Sequence, residues 1–188
     1  MPPSPELDWQ VRALPREADV TTTTSGPIGR HLAEDHDRLE ALLARAVAVP
    51  GALDRAPYDA FRAGLLRHIA VEEKILFPAL REALGGEPPG WRRLRIDHGA
   101  IASLLVPPPT PELVSELRSI LDPHDAFEES AGGLYARADE LVADRADALL
   151  ARMRAYPPVR VASYADGPRV LRRAEDALRQ SALQFEKR

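Results

Sequence analysis

Apolar residues in this chain recur three and four positions apart, the spacing that gives a helix one apolar face. Ile28, Leu32, Leu39, Leu42, Leu43 and Val47 mark a first helix over about residues 27–47. Phe61, Leu65, Ile69, Leu76 and Leu80 mark a second over about 58–84, stopped by Gly85-Gly86. Trp91, Leu94, Ile101, Leu104 and Leu105 mark a third over about 90–106, ended by Pro107-Pro108-Pro109. A fourth starts at Pro111, with Thr110 as its cap, and carries Leu113, Leu117, Ile120 and Leu121 towards Tyr135. Leu141, Val142, Leu149, Leu150 and Met153 give a continuation or a fifth helix over 139–155. Beyond Pro157-Pro158, Val170, Leu171, Ala174, Leu178 and Leu183 share one face of a last helix, about 168–185. Strand periodicity is lacking, although Val159-Arg160-Val161 suits a short extended piece.

Breakers refine this pattern. Thr24 or Ser25 suits the cap of the first helix, with Pro27 in its first turn. Pro78 should kink the second helix, Pro123 should bend the fourth just before His124, and Gly132-Gly133 weakens that helix further on. The expected fold is all-α: an antiparallel four-helix bundle with an N-terminal arm and an extra C-terminal helix. The arm covers residues 1–26, with Trp9, Val11 and Leu14 as its sizeable apolar anchors; the bundle covers 27–155, and the extension 156–188. The last helix is expected outside the bundle or against a second copy, which would make a homodimer.

Composition narrows the chemistry. At 188 residues a single domain is the natural size. A net charge of -4 argues against nucleic acid as a partner, because phosphate neutralisation needs a basic face. There is no cysteine, which removes disulfides, thiolate zinc sites and iron–sulfur clusters together. Any metal must be held by His and carboxylate. No apolar run is long enough to cross a membrane, and residues 1–26 lack a signal peptide's basic start and apolar middle, so a cytoplasmic location is expected.

Against that background two matching segments stand out. His68-Ile69-Ala70-Val71-Glu72 and His124-Asp125-Ala126-Phe127-Glu128 both read His-x-x-x-Glu, each followed by a second Glu, Glu73 or Glu129. Residues four apart lie on one helix face, so each segment aims an imidazole and a carboxylate the same way. His36 and His98 share the apolar stripes of the first and third helices. Each core helix therefore brings an imidazole to the interior, the ligand pattern of a two-metal site in a helical bundle. Imidazole and carboxylate suit iron, manganese or zinc. Four His and two Glu suffice for two metals if both Glu bridge them. His31 reads as a residue facing elsewhere, and Glu73 and Glu129 as solvated surface charge. Asp35, Asp37, Asp97 and Asp125 adjoin the ligand His and should each serve another helix's ligand or solvent.

The order His36, His68-x-x-x-Glu72, His98, His124-x-x-x-Glu128 resembles the hemerythrin-like, HHE cation-binding family over about residues 27–140. The run Glu72-Glu73-Lys74-Ile75-Leu76-Phe77-Pro78 is similar to that family's acidic, then apolar, then Pro pattern. Carried over, the resemblance implies metal ligands His36, His68, Glu72, His98, His124 and Glu128 around two non-haem iron ions. Two departures accompany it. Ala102 stands where oxygen carriers have a second His one turn after the third-helix His. Those members also end in His-x-x-x-x-Asp, so here Glu128 and Glu129 compete for the bridging role, while His31, Glu73 or Tyr135 is available as an extra ligand. The implied function is binding or sensing of dioxygen, nitric oxide or iron and redox state. The alternatives are a di-iron enzyme acting on peroxide or dioxygen, and a metal-storage or structural bundle. Whether the protein is an enzyme stays open at this level.

Overall fold

A computed structural model describes residues 26–187. Its helices are α1 (Pro27–Ala46), α2 (Arg55–Val71), α3 (Phe77–Leu84), α4 (Trp91–Leu104), α5 (Pro111–Glu129), α6 (Leu134–Leu141), α7 (Ala146–Arg154) and α8 (Ala174–Phe185). A π-helical segment, Glu72–Leu76, joins α2 to α3, and a 3-10 turn, Ala143–Arg145, leads into α7. No strand is present among the described residues, so Val159–Val161 adds none. The bundle consists of α1, the α2–π–α3 rod, α4 and α5, joined by the short loops that make neighbouring helices antiparallel. No helix among the described residues is long and apolar enough to cross a membrane. The anchors Trp9, Val11 and Leu14 lie outside the described residues.

Three local features differ from the sequence-based expectation. First, Gly26, not a hydroxyl residue, occupies the N-cap of α1. Asp139, from α6, caps that helix instead: its carboxylate accepts from Ile28 N at 2.8 Å and Gly29 N at 3.0 Å. A Cβ at Gly26 would fall 2.5 Å from the Asp139 carboxyl carbon, so glycine admits the cap. Thr24 and Ser25 lie outside the described residues.

Second, the disturbance expected at Pro78 is taken up upstream, in the π turn. Proline lacks an N–H and its ring crowds the carbonyl four residues back. One wide turn absorbs that conflict and re-phases the helix, so that Ile75, Leu76 and Phe77 are all buried in succession.

Third, α5 does not run on to Tyr135. It stays helical through Pro123, ends at Glu129, and α6 begins at Leu134. Gly132 takes a positive φ of 73° in the turn, and a Cβ at Gly133 would meet three carbonyl oxygens at 2.7–2.8 Å. Two expectations hold: Thr110 caps α5, accepting from Leu113 N at 3.2 Å, and Gly85 closes α3 in a left-handed conformation.

The apolar core is in two parts. One holds Ile28, Leu32, Val71, Leu76, Leu80 and Leu94, with α6 and α7 packed on it. The other holds Leu39, Leu43, Phe61, Leu65, Ile101, Leu104 and Leu117, with Ala174 and Ala177 of α8. Along each bundle helix the changeover falls at a histidine: α1 passes from Leu32 to Leu39 across His36, α2 from Leu65 to Val71 across His68, and α4 from Leu94 to Ala100 across His98. The candidate site is therefore a polar layer between two apolar ones.

Candidate metal centre

The six residues singled out by spacing meet in that layer. Glu72 and Glu128 are 0% exposed, His68 2%, His98 and His124 3%, and His36 8%. Their donor atoms form two groups within metal-binding reach: Glu72, His98, His124 and Glu128, and His36, His68 and Glu128. Glu128 belongs to both. His31 stands outside them.

Each imidazole is held from behind by a carboxylate. Glu129 Oε1 lies 2.6 Å from His36 Nδ1, Asp35 Oδ2 3.1 Å from His68 Nδ1, Glu73 Oε1 2.8 Å from His98 Nδ1, and Asp97 Oδ2 3.4 Å from His124 Nδ1. The structure corrects the reading of Glu73 and Glu129 as solvated surface charge. Glu73 also pairs with Arg95. Asp35 and Asp97 serve the histidine of a neighbouring helix, whereas Asp37 faces solvent. With Nδ1 facing a carboxylate, each ring turns its Nε2 to the centre, where a proton or a cation can take it. The neutral ring with its proton on Nδ1 is the tautomer a cation requires.

The arrangement is uncomfortable without a cation. His36 Nε2 and His68 Nε2 face each other at 2.9 Å, and Nε2 of His68 and of His124 lies 3.5 Å from Glu72 and Glu128 respectively. Burial pulls the His68 pKa down, but the Glu72 charge and the bonds to Asp35 and Glu72 carry it up to about 10. Burial is likewise outweighed at His98, by Glu72 and Glu73, and it rises to about 9. At His124 burial wins and the pKa falls. Burial works against ionisation of Glu72, yet the His68 and His98 imidazoles hold it well below the usual carboxylate range. Burial and then the Glu72 charge push Glu128 well above it. Glu72 Oε2, His98 Nε2 and Glu128 Oε1 are buried with no hydrogen-bond partner among the described residues. Although His98 Nε2 and Glu72 Oε2 are 3.2 Å apart, the contact is not directed as a hydrogen bond. Orphaned polar atoms of this kind are costly unless a cation takes them, so the ligand set fits a metal cation.

Tyr135 completes the layer, and the family resemblance offered it only as one of three extra ligands. Its phenol donates to Glu72 Oε1 at 2.8 Å and stands 2.9 Å from Glu128 Oε2. It is also 3.3 Å from His36 Nε2 and 3.4 Å from His68 Nε2. One phenol proton serves one carboxylate at a time, so the raised Glu128 supplies the second. Burial, then Glu128 and Glu72, holds the phenol well above its ordinary pKa and so protonated. The turn at Ser130–Gly133 brings Tyr135 back against the residues one helix earlier. Asp125, at the edge of the layer, has Oδ1 3.8 Å from His36 Nε2, and burial raises it to about 6.

No curated protein and no solved structure matches the chain. The family described as hemerythrin HHE cation binding domain matches residues 28–156, which take in all six buried His and Glu and Tyr135. With more than half its length matched and a buried His and Glu cluster where a cation-binding domain needs one, the chain belongs to the hemerythrin HHE cation-binding family.

Proposed function

We propose that His36, His68, Glu72, His98, His124 and Glu128 hold two iron ions, and that the protein binds or senses dioxygen, nitric oxide or the iron and redox state of its surroundings. The observation that carries this reading is the pairing of imidazoles around shared carboxylates, His36 with His68 and His98 with His124, at ring separations of 4.5 and 5.0 Å. Bound iron would supply reversible one-electron chemistry and coordination positions open to a small ligand. The protein's part is to keep four Nε2 lone pairs aimed at the centre, to neutralise the cations with two buried carboxylates, and to exclude bulk water with the apolar layers on either side.

An enzymatic reading, peroxide or dioxygen turnover, draws support from two residues. Tyr135 is positioned to hold or pass a proton between Glu72 and Glu128. Ala102, one turn beyond His98, brings no ligand to its half of the site. Manganese or zinc at the same donors, in a storage or structural role, is the remaining outcome.

The test is metal content with an ultraviolet–visible spectrum on protein purified in air without added metal. About two irons per chain with an oxo-bridge band in the near ultraviolet is the expected result. Zinc alone, or a metal-free chain that takes up no iron, sinks the oxygen chemistry. Spectra recorded with dioxygen, nitric oxide and peroxide then separate binding from turnover.

A further inference from the structure

The C-terminal helix lies outside the residues that match the family, yet it reaches the metal centre's surroundings. Helix α8 is fastened along α4. At its start Ala174 N donates to Glu116 Oε2 of α5 at 2.7 Å, and at its end Arg92 of α4 pairs with Glu186 at 3.0 Å while Phe185 meets Trp91 of α4 edge-on. Midway, Ser181 is seated on Gly99: a Cβ there would lie 2.3 Å from Ser181 Oγ and 3.3 Å from Ser181 Cβ. Gly99 adjoins His98. Between the helices is a cavity of 190 Å³, with Glu73, Arg95 and His98 on one side and Ser181, Gln184 and Phe185 on the other.

The molecule contains its own comparison. Glu73 and Glu129 each follow a buried central Glu, and each holds the Nδ1 of a central histidine. Glu129, with no helix over it among the described residues, is 41% exposed; Glu73, under α8, is 13% exposed. A hydrogen bond to an ionised carboxylate is stronger and less contested by water where the surroundings are dry.

We infer that α8 is a positioning element of the metal centre: by seating Ser181 on Gly99 it keeps Glu73 and Arg95 closed over His98, and so makes the His98–His124 metal position the slowly exchanging one and the His36–His68 position the labile one. The inference rests on the two-metal reading above.

The test uses the full chain loaded with cobalt(II) and mixed with excess chelator, with hydrogen exchange of residues 174–185 followed in parallel. Release of two cobalt ions in a fast and a slow phase is expected. Glu129→Ala should speed only the fast phase. Gly99→Ala should speed the slow phase about tenfold, the scale on which outer-shell partners act on metal affinity, and raise exchange in α8. Adding Ser181→Ala to Gly99→Ala removes the clashing oxygen and should restore both. Phe185→Ala, which opens the cavity and removes the edge-on contact with Trp91 while leaving Gly99 and His98 unaltered, should also speed the slow phase. Fewer than two cobalt ions bound by the unsubstituted chain would overturn the two-metal reading itself. Two ions released in one phase, or a slow phase unmoved while α8 exchanges faster, would overturn the role given to α8 and leave the two-metal reading standing.

Discussion

His36 and His68 point their Nε2 atoms at each other across 2.9 Å, while the opposite nitrogen of each ring is held by a carboxylate. Two neutral rings in that pose oppose lone pair to lone pair. Either a proton or a cation must lie between them, and the two are in competition.

This competition sets the pH dependence of the metal-free protein. His68 at about 10 and His98 at about 9 in the fold are above the ordinary histidine value of 6.5. Groups raised by folding stabilise fully below the unfolded value, and the contribution is lost as pH rises through the folded one. Denaturant midpoints of the metal-free chain should therefore fall between pH 6.5 and about 10, while those of the metal-loaded chain change much less over that window. A metal-free chain as stable at pH 10 as at pH 6 would contradict the proton-for-cation exchange.

Glu72→Ala should abolish binding of the metal pair, because it removes a carboxylate that faces both imidazole pairs, lying 3.5 Å from His68 Nε2 and 3.2 Å from His98 Nε2. Glu128→Ala should do the same. Glu129→Ala should weaken metal binding by about 10–100-fold without abolishing it, as expected for a residue that orients a ligand. Metal stoichiometry by elemental analysis checks all three; metal lost from the Glu129 variant but retained by the Glu128 variant would move the bridge by one residue.

Tyr135→Phe should retain both metals, since the six His and Glu donors remain. In the metal-free state it should destabilise by about 1–3 kcal/mol, because Glu72 loses its buried donor and Glu128 its buried acceptor. If peroxide chemistry is the activity, the variant should slow it while leaving metal content alone. Equal stability of the two metal-free proteins in urea would show that the phenol is not bonded as described.

Asp139→Ala removes the cap of α1 at a distance from the metal layer. Loss of a helix cap costs about 1–2 kcal/mol, or about 3–6 °C in melting temperature for a chain this size. Differential scanning calorimetry should show that drop with metal content unchanged. A variant that lost metal would link the start of α1 to the site in a way that its contacts with Ile28 and Gly29 do not.

The bundle helices were legible because their apolar residues repeat at helical spacing, and the six central side chains because histidine is scarce and falls on those apolar stripes. The outer carboxylates were half legible. Asp35 and Asp97 follow from adjacency, since neighbouring helix positions diverge by about 100° and reach across to the next helix. Glu73 and Glu129 look the same in sequence as any solvated acidic pair; only the approach of His98 and His36 distinguishes them. The Asp139 cap joins residues 111 positions apart, beyond the reach of local pattern. Tyr135 depends on where α5 stops, and Gly132-Gly133 marked a weak point without telling which way the chain turns.

The division of the core into two apolar parts has a mechanical consequence. Each half is closed by its own leucines and aromatics, so a substitution such as Leu104→Ala loosens one end and leaves the other packed. The polar waist has no such redundancy: it is the one level at which all four rods are tied to a common point. A cation held there would act as a rivet between the four rods, tying together two apolar ends that are otherwise packed separately.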